Sequence, residues 1–271
     1  MSLKILLKPN AISLPLYAIF LAEAFFYCKQ LWLGLSLHVI NLISIVALTI
    51  LYKYIKNKSK NIDINGWGLN YLQIIMLIPL LRIINTSMPV FFPLTIYWFP
   101  LIYTPMLLPI YLAAKNQGYT LEQIGIKIID KKIIIVHLVV GFLTGVILSC
   151  LEYMILKPES LIEDLSSGNL LKITLIMFLS IGLVEELIFR SLLQTKLEEL
   201  FNKNYGLLIT SLIFGAMHSG YSLPLEVIFA ASAGLLIGYL FQRSRSLILI
   251  TTIHGTINVF LFAVLPQIRI F

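Results

Sequence analysis

Charged residues are scarce in this 271-residue chain. They make up 12% of it, whereas about a quarter of the residues in a soluble domain are charged. Hydrophobic residues account for 59%, and the mean hydropathy is +0.92. This imbalance argues against an ordinary soluble domain. It predicts a polytopic membrane protein, in which the length of each apolar run is more informative than its periodicity.

Cysteine is almost absent as well. Cys28 and Cys150 both lie inside apolar runs and form no CxxC spacing, which argues against a disulfide framework and against a zinc-thiolate site. The net charge of +7 could serve nucleic-acid binding. The basic residues, however, lie in short loops between apolar segments, as membrane topology requires, so we expect a lipid bilayer and no nucleic acid as partner.

Long apolar runs dominate the rest. A spanning helix needs about 20 mostly apolar residues, and this criterion predicts spans at about 11–28, 31–52, 68–87, 90–113, 133–156, 171–190, 206–218, 225–241 and 247–265. The prolines between 68 and 113 should kink or interrupt helices. The predicted fold is all-α: a polytopic transmembrane helical bundle of about eight or nine spans, several kinked by proline. With no repeat or soluble region visible, residues 1–271 form one predicted integral membrane domain.

Basic residues recur in alternate loops. They cluster at 53–60, 115–132, 190–203 and 243–245, whereas the loop at 157–172 carries three acidic residues. By the positive-inside rule, the N terminus and the basic loops are predicted to be cytoplasmic.

One stretch carries ionisable groups into an apolar run. In EELIFR, residues 185–190, Glu186 and Arg190 are four apart and can form an ion pair on one helix face. Glu185 is rotated about 100° from Glu186, so the two carboxylates need not do the same job. The alternative is that both are charges at a helix end that reach the interface.

Two later stretches repeat this pattern of paired polar or aromatic residues. In FGAMH, Phe214 and His218 share a face, and in HGTIN so do His254 and Asn258. Alone, each has a structural explanation, a helix-end histidine or a hydrogen bond between helices. Together with a carboxylate they form a hydrolytic set, because a carboxylate and a histidine can activate water while a histidine and an amide stabilise an oxyanion.

Other polar residues in the spans have simpler interpretations. Glu23 and Glu152 lie near segment ends, where they can reach the interface. His38 and His137 stand alone and are expected to form hydrogen bonds within the bundle. Arg82 is deeper and is expected to pair with a carboxylate or with backbone carbonyls.

The order EExxxR, FxxxH, HxxxN resembles the type II CAAX prenyl endopeptidases of the CAAX protease and bacteriocin-processing (CPBP) family of intramembrane proteases. The stretch GYTLEQIGIK is similar to a segment found ahead of that family's core. The resemblance covers about residues 118–265, a family-like catalytic core, and leaves 1–117 as additional N-terminal spans.

The resemblance implies roles for the motif residues. Glu185 and His218 would activate the attacking water, and His254 and Asn258 would stabilise the oxyanion. The supporting residues would be Glu186, Arg190 and Phe214. The substrate would be a peptide or a prenylated protein, cleaved near its C terminus in the latter case, and the active-site cavity is predicted to open to the cytoplasm.

Three alternatives remain open. Glu185, His218 and His254 are the ligand types of a catalytic zinc site. The chain has no HExxH helix, and an amide such as Asn258 is a poor zinc ligand, so no cofactor is expected. Buried ionisable groups also serve transporters, and an inactive immunity-type protein could keep the same fold. The serine motif GxSG and the aspartate motif GxGD are absent.

Overall fold

The described residues, 9–58, 67–91, 96–127 and 130–268 of a computed structural model, form helices and no strand. This confirms the all-α prediction. The N-terminal half contains α1 (Pro9–Tyr27), α2 (Leu31–Lys58), α3 (Trp67–Ile75), α4 (Leu77–Phe91), α5 (Trp98–Gln117) and α6 (Lys131–Leu156).

The C-terminal half has four longer elements. Helix α7 runs without a break over residues 167–200, and α8 spans Lys203–Ala216. A short 3₁₀ turn, Ser219–Tyr221, leads to α9 (Pro224–Ser244). Helix α10 covers residues 247–268.

Polar side chains fix where several helices begin. The Asp130 side chain accepts from the backbone N–H of Lys132 at the start of α6, and Asn202 and Ser246 cap α8 and α10 in the same way. These caps satisfy N–H groups that the helix itself leaves unpaired.

One predicted proline site coincides with a break between helices, and two others lie inside a continuous helix. Helices α3 and α4 are separated at Met76, three residues before Pro79, which has no N–H to donate into the preceding turn. Pro105 and Pro109 instead lie inside the continuous α5. Pro93 falls outside the described residues.

Within the described ranges, five helical stretches are long and apolar enough to cross a membrane: Leu31–Ile55, Gly68–Thr86, Lys131–Leu156, Pro224–Ser244 and Leu247–Ile268. Helix α6 exposes a continuous apolar stripe, as a lipid-facing helix does, formed by Ile135, Val139, Leu143 and Ile147. The chain is therefore an integral membrane protein. The count of eight or nine spans stays a prediction.

Close helix contacts bring α10 into the centre of the bundle. A Cβ on Gly145 would lie 2.6 Å from the Thr256 side chain, which shows how tightly α6 packs on α10. A Cβ on Gly182 of α7 would lie 3.2 Å from the backbone nitrogen of Gly255, and one on Gly255 would overlap the Phe178 ring. Small residues let helix backbones approach in this way, and the two helices that carry EELIFR and HGTIN meet here.

Candidate active site

Helix α7 changes its winding around the two glutamates. Leu183–Glu186 is α-helical, whereas the flanking stretches Ile176–Gly182 and Leu187–Gln194 are π-helical. Such wider turns are often found at functional sites. They alter the direction in which Glu185 and Glu186 project relative to a regular helix.

Glu186 forms the centre of a buried ionic group. Arg190 Nη1 donates to Glu186 Oε1 at 3.1 Å, and neither side chain is exposed. The Arg190 guanidinium also lies 4.3 Å from the centre of the Phe214 ring, a favourable cation–π distance. The ion pair expected from the four-residue spacing is therefore present.

The same carboxylate orients His254. His254 Nδ1 lies 2.7 Å from Glu186 Oε1. Because Glu186 is already the acceptor for Arg190, we assign the hydrogen of this bond to Nδ1. The Nε2 atom of His254 is turned away from Glu186 and lies 3.7 Å from Glu185 Oε2. The two glutamates thus lie on opposite sides of one imidazole.

Glu185 has a second partner from the N-terminal half. The Tyr103 hydroxyl on α5 donates to Glu185 Oε1 at 2.7 Å. The Glu185 side chain is 14% exposed, whereas Glu186 is fully buried. The prediction that the two neighbours point in different directions agrees with this geometry.

His218 lies just beyond the end of α8. Its Nδ1 is 3.0 Å from the Phe214 carbonyl oxygen, which can only accept, so Nδ1 carries the hydrogen and a neutral ring has its free electron pair on Nε2. The Phe214 ring is 5.0 Å from the His218 ring and packs edge-on at 5.9 Å from His254. Phe214 therefore packs against both histidines.

A small cavity joins three of the four predicted catalytic residues. It measures about 30 Å³ and is lined by His218, His254 and Asn258, with Glu152 beside them. A cavity of this size holds about one or two water molecules. Glu185 adjoins this group through His254, and no direct hydrogen bond or ion pair between Glu185 and His218 occurs in the described part of the chain.

The interpretation of Glu23 and Glu152 as interface residues was wrong. Glu23 is 2% exposed and Glu152 is 8% exposed. Glu23 contacts Arg82 and His38, and the Glu152 carboxyl lies beside that of Glu226. Position along an apolar run does not reveal which face of the helix is covered by its neighbours.

The lone histidines and Arg82 have the kinds of partner that were expected. His38 bonds Glu23, and His137 Nδ1 lies 2.9 Å from the Ser246 hydroxyl. Arg82 pairs with the Glu23 carboxylate and also with the Met217 carbonyl.

The sequence analysis did not identify Tyr103 and Glu226, two residues that contact the site residues. Tyr103 is one aromatic residue in a proline-rich apolar span. Glu226 lies in the first turn of α9, and no motif predicted that this end of the helix is near the site. Neither belongs to a spaced motif, so no signal in a single sequence distinguishes them.

One comparison with known proteins found a match over the segment that carries the three motifs. Residues 167–260 match the family model described as type II CAAX prenyl endopeptidase Rce1-like. The chain has no significant match among curated proteins or among solved structures. The matched segment carries all three motifs, and the family implies a protease. Residues 167–260 of this integral membrane chain thus match the Rce1-like type II CAAX prenyl endopeptidases, which confirms the resemblance predicted from the three motifs.

Proposed function

We propose that this chain is an intramembrane endopeptidase of the CAAX type that hydrolyses a peptide bond without a metal. Glu185 and His218 activate the attacking water, and His254 and Asn258 stabilise the oxyanion. The observation that carries the proposal is the water-sized cavity that His218, His254 and Asn258 share, next to Glu185.

Water activation needs a base and a second hydrogen-bond acceptor. Glu185 takes the proton as the water oxygen attacks the peptide carbonyl, and His218 Nε2 accepts the other water hydrogen. When the C–N bond breaks, Glu185 returns the proton to the leaving amine. The hydroxyl of Tyr103, 2.7 Å from Glu185 Oε1, holds this carboxylate in place.

The oxyanion needs hydrogen-bond donors on the other side of the carbonyl. The Asn258 amide supplies one, and a His254 ring that carries a hydrogen on each nitrogen supplies the second through Nε2. Glu186 orients the His254 ring through Nδ1, and Arg190 compensates the charge of Glu186. One glutamate is thus the proposed base, and the other is a positioning residue.

The zinc alternative requires Glu185, His218 and His254 as three ligands of one ion. Among the described residues, no group of three His, Cys, Asp or Glu side chains is arranged to hold a metal ion. The metal-free proposal rests on Asn258, which lines the cavity with both histidines, because its amide is a poor zinc ligand and a good oxyanion donor.

The family name points to a substrate class, a peptide near the C terminus of a prenylated protein. We place the cavity opening and the N terminus on the cytoplasmic side, following the basic loops. Labelling from the cytoplasmic side of a cysteine introduced at Glu159 would contradict this orientation.

Hydrolysis is tested with purified protein and a farnesylated C-terminal CAAX peptide, with product masses read by mass spectrometry. We expect the last three residues to be released. Asn258→Ala should lower kcat by about 10²–10³-fold, the usual cost of removing one oxyanion donor. A complete lack of hydrolysis by the unsubstituted protein, with this peptide and with its unprenylated form, would contradict the proposal.

A matched control separates this loss from instability. Asn41 is also buried, at 5% exposure, but its amide donates to the Pro15 carbonyl, in a different part of the bundle. Asn41→Ala should lower the melting temperature and leave kcat unchanged. Asn258→Ala should lower kcat and leave the melting temperature unchanged, because Asn258 lines the cavity.

A further inference from the structure

A buried charged cluster lies outside the family-matched segment. Glu23 of α1 accepts from Arg82 Nε at 2.8 Å and from His38 Nε2 at 3.0 Å. Glu23, His38 and Arg82 are at most 8% exposed. Ionisable groups inside a membrane bundle are costly, so a cluster of three requires a compensating role.

The cluster is bonded to both neighbours of His218. Arg82 Nη2 donates to the Met217 carbonyl oxygen at 2.6 Å, and the Ser219 hydroxyl donates to Glu23 Oε2 at 2.6 Å. His218 therefore lies between two residues that the N-terminal helices hold. Arg82 also contacts Glu23 directly through the same Nη2 atom, at 2.5 Å, so a single guanidinium joins the carboxylate to the backbone.

The other backbone hydrogen bonds of His218 are local: its N–H donates to the Gly215 carbonyl, and its carbonyl accepts from the Tyr221 N–H. Helix α8 ends at Ala216, and the following 3₁₀ turn is only three residues long. It leads into Ser222, which adopts a left-handed conformation with φ 55°. The side chain of His218 itself is tied only through Nδ1 to the Phe214 carbonyl oxygen among its described hydrogen bonds. The position of its free Nε2 thus depends on how firmly the turn is held.

We propose that Glu23 and Arg82 are positioning residues that hold the Met217–Ser219 backbone, and with it the His218 ring, in the geometry needed for water activation. The inference rests on the proposed function of His218. It assigns the N-terminal spans a part in catalysis, through contacts that residues outside 167–260 make.

The substitution Ser219→Ala tests this with the least disturbance. It removes one neutral hydroxyl and its bond to Glu23, and it leaves the Glu23–Arg82 ion pair intact. Ser211→Ala is the matched control: Ser211 is equally buried on α8, but its hydroxyl donates only to the Leu207 carbonyl of the same helix. Arg82→Lys is the second variant. Lysine keeps the charge but lacks the planar guanidinium group, whose nitrogens bond both Glu23 and Met217.

Steady-state hydrolysis of the farnesylated peptide is measured together with the melting temperature. For Ser219→Ala and Arg82→Lys we expect kcat to fall by roughly 10- to 10²-fold with KM unchanged, since a misplacement of about 1 Å far from the reacting atoms can cost 10²-fold. Ser211→Ala should keep kcat. A merely structural role for the cluster would shift the melting temperature of the variants and leave the kcat of folded protein unchanged.

Two outcomes count against different claims. If Ser219→Ala keeps the kcat of Ser211→Ala, the positioning role is wrong, whatever Arg82→Lys does. A Glu185→Gln variant in the same assay separates this from the wider proposal. If Glu185→Gln hydrolyses the peptide at the unsubstituted rate, the proposed function fails, and the inference about His218 fails with it.

Discussion

Glu185→Ala and His218→Ala are each expected to lose at least about 10²-fold in turnover, since general base catalysis is typically worth that much. Of the two adjacent glutamates, only Glu185 is partly exposed, and His218 lines the cavity with no described hydrogen bond at its Nε2. Both variants should remain in the membrane, because neither side chain takes part in the Glu186–Arg190 ion pair. Turnover of the farnesylated peptide measures the loss.

Glu199→Ala provides a control for Glu185→Ala on the same helix. Glu199 is 41% exposed, forms an ion pair with Lys196 and lies away from the cavity. It should keep full turnover and the same yield. Near-native turnover in both Glu185→Ala and His218→Ala would show that the assignment of the water-activating pair is wrong.

Glu186→Ala and Arg190→Ala are expected to act mainly through stability. Each leaves a charge uncompensated in a site with no exposure, and in soluble proteins breaking a buried pair in this way costs roughly 3–5 kcal/mol. The expected result is a lower melting temperature in detergent and a lower yield.

The double variant Glu186→Leu with Arg190→Met separates the effect on stability from the effect on turnover. Since it removes both charges, it should be more stable than either single variant. His254 would then lose the acceptor at its Nδ1, so the double variant should remain folded with reduced turnover. A Glu186→Ala protein that is fully stable but inactive would instead indicate a direct chemical role for this carboxylate.

The parts of the site that the sequence predicts are those with a fixed local spacing. A helix places residues four apart on one face, so the Glu186–Arg190 contact and the Phe214–His218 contact follow from the sequence. The all-α fold follows from the apolar runs. In both cases the interaction is encoded within a few residues, and no knowledge of the tertiary arrangement is needed.

The remaining contacts join distant parts of the chain. Tyr103 and Glu185 are 82 residues apart, and Ser219 and Glu23 are 196 apart. Which face of α1 or α5 turns inward depends on how all the helices pack. The π-helical stretches of α7 were also not predictable, because they have no distinct composition.

Glu152 on α6, which lies outside the matched segment 167–260, shows the same limit. Its position near the end of α6 suggested the interface, yet α9 covers it and places Glu226 beside it. The carboxyl of Glu152 lines the cavity next to His218 and His254. Polar residues of a membrane bundle are therefore better interpreted from their neighbours than from their depth along a span.

The metal content of active protein tests the central claim most directly, because the glutamate and zinc mechanisms use the same three side chains. In a zinc enzyme the metal lowers the pKa of its bound water to about 7, and Glu185 would be a ligand instead of a base. The measurement is elemental analysis of purified protein, together with peptide hydrolysis after exhaustive treatment with a strong chelator. The account predicts no stoichiometric zinc and full turnover after chelation. Stoichiometric zinc, with turnover lost on chelation and restored by added metal, would contradict it.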